Sequence, residues 1–235
     1  MKKGYVFNKA SITGDDGSDS DTPFDPSTIF GNLLKKENEI KVDGNKVYFY
    51  KEVSRDSIHQ LVNTLKETVK KIKNTSEYIG IRDPVPIYLF VNSGGGDYFA
   101  GMSAYDHIRN LNYPIYTVVD GMTASAGTFI TLAGTKRYML KNSWVLIHQI
   151  KSWFQGYYTF EESKDDMANT VKFMKSLNDL YLTNTNITKK KLETFFKHDI
   201  YIGSDEAMKL GVIDSIYGEP EKQPDETPRG KRQKR

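Results

Sequence analysis

The sequence predicts an α/β domain built on a largely parallel sheet. Two observations carry the prediction. Short apolar runs, rich in β-branched and aromatic residues, alternate with longer segments whose apolar residues recur every three or four positions. Hydrophobic residues make up 38% of the 235 positions and charged residues 27%, which suits one sizeable buried core. No internal repeat interrupts the alternation.

The elements follow in order. Lys46 to Tyr50 is a β-rich run. Ile58, Leu61, Leu65, Val69 and Ile72 then mark one face of an amphipathic helix. Pro84 and Pro86 precede a short buried strand, Ile87 to Val91. A Gly-rich turn leads into a helix carrying Met102, Tyr105 and Ile108, and Ile115 to Val119 is the next strand. A helix of small residues runs from about Ser125 to Leu132 and stops near Gly134. Two short strands follow, around Lys136–Met139 and Trp144–Ile147. Thr159 and Glu162 have the spacing of a capping box for a long helix. Met167, Val171, Met174, Leu177 and Tyr181 line one face of it. A shorter helix covers about Lys189–Phe196. Ser204 is placed to cap a last helix that ends at Gly211, before a strand Val212–Ile216.

The two ends read differently. Gly14 to Ser27 is rich in Asp, Ser, Gly and Pro without apolar periodicity, so residues 1–28 are expected to be a flexible segment. Its Asp spacing suggests a calcium loop, but the Glu required at the twelfth loop position is missing. Residues 29–217 form the expected folded body, and 218–235 a solvated basic tail ending in Arg229 to Arg235. Such a tail can touch nucleic acid, but the net charge of only +3 does not point to a nucleic-acid partner. Met1, Lys2 and Lys3 resemble the start of a signal peptide, yet no apolar stretch follows, and no run approaches the roughly 18 apolar residues of a membrane helix. A cytoplasmic protein with no membrane contact is expected. The absence of Cys excludes a thiol nucleophile, a disulfide framework and a thiolate metal site.

Three segments carry possible chemistry. In Val91-Asn-Ser-Gly-Gly-Gly-Asp97, consecutive glycines let backbone N–H groups point into a cleft; alone, this is equally an ordinary tight turn. It completes neither a P-loop nor a dinucleotide-binding fingerprint. In Asp120-Gly-Met-Thr-Ala-Ser-Ala-Gly-Thr128, Ser125 falls near a helix N-terminus, where free N–H groups favour developing negative charge. Taken alone, that serine is more simply a helix cap. In Trp144-Val-Leu-Ile-His-Gln149, His148 ends an apolar strand and by itself reads as a satisfied core histidine. His59, His107 and His198 sit in polar or helical surroundings and are weaker candidates.

Together, in this order, the segments resemble the proteolytic subunit of the Clp protease family. Asn92-Ser-Gly-Gly-Gly96 matches the family's Asn-Ser-Pro-Gly-Gly turn, and Ala100-Gly-Met-Ser-Ala-Tyr-Asp106 its following helix. Gly121-Met-Thr-Ala-Ser-Ala-Gly127 matches the nucleophile segment, and Lys141-Asn-Ser-Trp-Val-Leu-Ile-His-Gln149 the segment of the base. Gly203-Ser-Asp-Glu-Ala-Met-Lys-Leu-Gly-Val-Ile-Asp214 matches the closing segment. The resemblance spans roughly Lys46 to Tyr217.

The resemblance implies a Clp-protease/crotonase-type fold of repeated ββα units with a protruding handle helix. It implies a serine endopeptidase with Ser125 as nucleophile, His148 as base and Asp199 as the third triad member. Backbone N–H groups of Gly96 and Ala126 would form the oxyanion hole. No metal or cofactor is called for. Substrates would be unfolded proteins or peptides, inside a homo-oligomeric ring (a heptamer or double heptamer), with a possible AAA+ unfoldase as partner. Two departures weigh on this. Gly94 stands where the family has Pro, freeing the backbone of the turn. Ile150-Lys-Ser-Trp-Phe-Gln-Gly156, with bulky Trp153 and Phe154, replaces the Gly-rich loop before the handle. The alternatives are a catalytically silent subunit of such an assembly and a crotonase-type acyl-CoA enzyme. Ser-Lys relatives are disfavoured because His148 fills the base position.

Overall fold

The structure, a computed structural model, describes residues 40–151 and 159–220. The N-terminal segment, its Asp-rich stretch, the basic tail beyond residue 220, Trp153 and Phe154 lie outside the described residues.

Eight strands form one sheet. β1 (Lys41–Asp43) and β2 (Lys46–Phe49) make an antiparallel hairpin across Gly44 and Asn45. β2, β3 (Ile87–Ser93), β4 (Ile115–Ala124), β5 (Lys136–Met139) and β8 (Ser215–Ile216) then follow as parallel neighbours. On the side away from β3, β4 serves two partners. Its first half pairs with β5, and Met122–Ala124 pairs with β6 (Trp144–Leu146). β6 pairs antiparallel with β7 (Tyr201–Gly203). The expected largely parallel sheet is present, with antiparallel pairs at its margins.

Six helices are described: α1 (Arg55–Tyr78), α2 (Tyr98–Arg109), α3 (Gly127–Leu132), α4 (Phe160–Asn184), α5 (Lys189–Lys197) and α6 (Ser204–Lys209). The face of α1 read from the sequence is its buried face: Ile58, Leu61, Leu65 and Val69 are all in the core. They pack with Val47, Phe49, Leu89 and Val91 from the inner face of the sheet. On the other face, β2 to β5 carry Tyr48, Tyr88, Phe90, Tyr116 and Tyr138. Tyr48 stacks on Phe90 at 5.0 Å, and Tyr88 meets Tyr116 edge-on at 5.5 Å. Strand alternation alone produces this division, because successive side chains point to opposite faces.

The structure corrects four expectations. The small-residue helix begins at Gly127, not Ser125, because Ser125 adopts a left-handed φ of +53° that no helix accommodates. Ser204 does not cap α6. It is the first helical residue, and its hydroxyl donates instead to the Lys141 carbonyl at 2.9 Å. The last strand is only Ser215–Ile216, since the Val212 N–H turns back to the Ala207 carbonyl at 2.9 Å. In α4 the predicted apolar face is only half used. Leu177 and Tyr181 are buried, whereas Met167 and Val171 are 68% and 62% exposed. The first half of α4 therefore projects beyond the core that its last turns help to build. The Thr159–Glu162 capping box that starts α4 is present as expected.

Candidate active site

The site forms where β3, β4 and β6 end on the same edge of the sheet. Ser125 follows β4 directly and precedes α3. Its left-handed backbone is held on both sides. Its N–H donates to the Leu146 carbonyl at 3.0 Å, and its carbonyl accepts from the Thr128 N–H at 2.9 Å and the Thr128 hydroxyl at 2.6 Å. A non-Gly residue at positive φ persists only where its surroundings over-determine it, and such residues concentrate at functional sites.

The Gly-rich turn after β3 packs against this elbow. A Cβ on Gly95, which sits at φ +96°, would lie 2.6 Å from the Ser125 Cβ. Gly95 is therefore what allows the two turns to approach. Gly96 forms a parallel bridge with Val53: the Val53 N–H donates to the Gly95 carbonyl at 2.7 Å and the Asp97 N–H to the Val53 carbonyl at 2.8 Å. In such a bridge the central residue's own N–H faces the opposite side. That N–H, and the N–H of Ala126, have no hydrogen-bond acceptor among the described residues. Gly94 has open space around it and no left-handed φ, so the glycine found where Pro was expected does not by itself distort the turn.

Ser125, Gly96, Ala126 and His148 all line one cleft of about 280 Å³. Tyr98, Phe129, Leu177 and Tyr181 supply its apolar walls. His148 lies just past β6 and is half-buried. Its Nδ1 is 2.5 Å from the Gln149 carbonyl oxygen. A carbonyl only accepts, so Nδ1 carries a hydrogen, and a ring with one hydrogen then has its lone pair on Nε2. That is the tautomer a general base requires.

Asp199 does not line the cleft, and its carboxylate pairs with Lys151 at 3.2 Å. Among the described residues no hydrogen bond joins Ser125 to His148 or His148 to Asp199. In the β6–β7 ladder Trp144 faces Gly203 and Leu146 faces Tyr201. The ladder ends at Leu146 and Tyr201, so neither His148 nor Asp199 is part of it. The other carboxylates near the closing segment are engaged elsewhere: Asp214 with Arg137 at 3.2 Å, and Asp205 with Lys141 at 2.9 Å.

Reading the sequence missed two contributors. Lys151 was seen only as part of a divergent loop, and Thr128 only as a residue after the nucleophile motif. An elbow serine followed three residues later by Thr is the signal that could have raised Thr128, since a Thr hydroxyl can donate back to the carbonyl three residues earlier.

The arrangement is one of a fixed elbow serine, an imidazole and two unclaimed backbone donors around one cleft. The family model described as Clp protease matches residues 45–220, which contain all of it. The chain belongs to the Clp protease family. The mixed α/β fold with its mostly parallel sheet agrees with that membership. The chain is also similar to the ATP-dependent Clp protease proteolytic subunit of Deinococcus radiodurans, with 31% identity over 132 residues. That match covers 55% of this chain and 64% of the relative, so the chain spans somewhat less than two thirds of the Clp subunit it resembles. No described helix is long and apolar enough to cross a membrane.

Proposed function

We propose that this Clp-family chain is a serine endopeptidase that hydrolyses peptide bonds of unfolded proteins or peptides through an acyl-enzyme. The observation that carries the reading is the shared cleft. Ser125 is held at φ +53° beside a His148 whose Nε2 is open and beside the N–H groups of Gly96 and Ala126. His148 takes the Ser125 proton as the hydroxyl attacks the scissile carbonyl, then returns it to the leaving amine. Gly96 and Ala126 receive the oxyanion. A donor of this kind contributes roughly 3–4 kcal/mol to transition-state stabilisation. Asp199 stabilises the imidazolium once its side chain turns from Lys151 to the His148 Nδ1 and replaces the Gln149 carbonyl as acceptor there. No step calls for a metal or cofactor.

The reading includes a homo-oligomeric ring, a heptamer or double heptamer, working in the cytoplasm. The exposed apolar residues of α4, Phe160, Met167 and Val171, support self-association. An AAA+ unfoldase is the partner proposed for it. The aromatic face of the sheet supplies apolar surface that suits such a partner.

Two observations favour a second reading, a catalytically silent subunit: the Lys151–Asp199 pair and the missing Ser125–His148 bond. A fluorophosphonate separates the two. The peptidase labels at Ser125 and cleaves unfolded peptides; a silent subunit, fully assembled, does neither.

A further inference from the structure

The polar chain behind Ser125 extends beyond the residues given roles above. Thr128 and Tyr181 are both 1% exposed, and their hydroxyl oxygens lie 2.5 Å apart. The Thr128 hydroxyl also sits 2.6 Å from the Ser125 carbonyl oxygen. A carbonyl only accepts, so the Thr128 hydrogen is committed to Ser125. The hydrogen between the two hydroxyls must then come from Tyr181. The direction is fixed: Tyr181 donates to Thr128, and Thr128 donates to the carbonyl of Ser125. Burial raises the pKa of the Tyr181 phenol, so it remains a donor throughout the working pH range.

The carbonyl of Ser125 and the N–H of Ala126 belong to the same planar trans peptide and point in opposite directions. Whatever anchors the carbonyl therefore aims the N–H. The Ala126 N–H is one of the two unclaimed donors on the cleft. Resting on the serine-peptidase reading, we infer that Tyr181 is a positioning residue: acting through Thr128, it holds the Ser125–Ala126 peptide so that the Ala126 N–H faces the oxyanion.

Tyr181 belongs to the last turns of α4, and Leu177 on the same helix lines the cleft. The helix whose first half projects from the fold thus ends in a hydrogen bond that reaches the nucleophile's backbone. A buried phenol needs a partner whatever its role, and here that partner is itself bonded to the elbow. Cores more often fill such a place with Phe or Leu.

The test is steady-state hydrolysis of a short fluorogenic peptide by the full-length assembled protein, with thermal melting alongside. Tyr181→Phe keeps the ring and removes only the donor. It should lower kcat about 5- to 30-fold with KM unchanged, because an oxyanion donor acts in the transition state alone. Thr128→Val should lower kcat at least as much, and Thr128→Ser should restore it to within about twofold of wild type. The Tyr181→Phe/Thr128→Val double variant should be no slower than Thr128→Val, since Tyr181 acts through Thr128. Affinity for a peptide boronate, which mimics the tetrahedral state, should fall in parallel with kcat. Should Thr128→Val fail to fold, Tyr181→Phe decides alone. An active wild type with an unchanged kcat in Tyr181→Phe, or with an effect confined to KM, overturns the inference and leaves the peptidase reading standing. An inert wild type overturns both.

Discussion

At the scale of single residues, the site depends on backbone geometry that composition does not reveal. Ser125 looks in the sequence like an N-terminal helix cap, and the structure makes it an elbow at φ +53°. The difference arises from the tertiary bond to Leu146, which no local propensity encodes, together with the local bonds from Thr128. Gly95 and Gly94 look alike in sequence and differ in role. Gly95→Ala places a Cβ 2.6 Å from the Ser125 Cβ at an unfavourable φ, and should cost about 2 kcal/mol or more in a denaturant melt. Gly94→Ala meets open space and should change stability by less than about 1 kcal/mol. Lys151 was illegible as a participant because its partner Asp199 lies 48 residues away. Lys151→Met should free that carboxylate for His148 and raise the rate of Ser125 labelling. Exposed pairs hold only about 0–1 kcal/mol, so the gain should not exceed roughly fivefold.

At the scale of elements, periodicity told which residues share a face but not what the face meets. The reading of α1 succeeds because β2 and β3 supply a full apolar partner surface. The reading of α4 overreaches because the core extends only to its last turns, although Met167 and Val171 keep the same spacing. β1 has no apolar alternation and was not read at all; its place comes from the hairpin turn at Gly44. Among helix starts, the Thr159–Glu162 box was legible because capping is local, whereas Ser125 and Ser204 were misread as caps. Ser54 and Ser57 form a reciprocal box at α1, so Ser54→Ala should cost about 1 kcal/mol in a thermal or denaturant melt. At α4, Glu162 accepts hydrogen bonds from the backbone and hydroxyl of Thr159, which hold its pKa below the usual glutamate value. A depressed folded-state pKa contributes stability that is present above the ordinary value and lost as pH falls through the lowered one. Glu162→Gln should therefore flatten the acid side of an α4 melting profile and leave it unchanged near neutrality in slope. Helicity followed by circular dichroism between pH 6 and 3 checks this; an acid limb identical to wild type would contradict it.

At the scale of the molecule, family membership and fold were legible because the five motif segments keep their order along the chain. The assembled triad was not, because it depends on which partner the Asp199 side chain takes. The projecting half of α4 carries apolar side chains that a lone chain leaves in water, and Phe160 is 74% exposed. Paired substitutions Met167→Glu and Val171→Glu should leave the melting temperature of the separated chain nearly unchanged. They should shift the proposed ring to a smaller mass in analytical ultracentrifugation. A particle of unaltered mass would remove α4 from the assembly surface. The central claim is that Ser125 is the nucleophile. Mass spectrometry of the assembled protein after fluorophosphonate treatment addresses it most directly. The account predicts one adduct per chain, on the peptide containing Ser125, and none in a folded Ser125→Ala variant that has also lost peptide hydrolysis. Undiminished hydrolysis by Ser125→Ala, or an assembled wild type that takes no adduct, would contradict it.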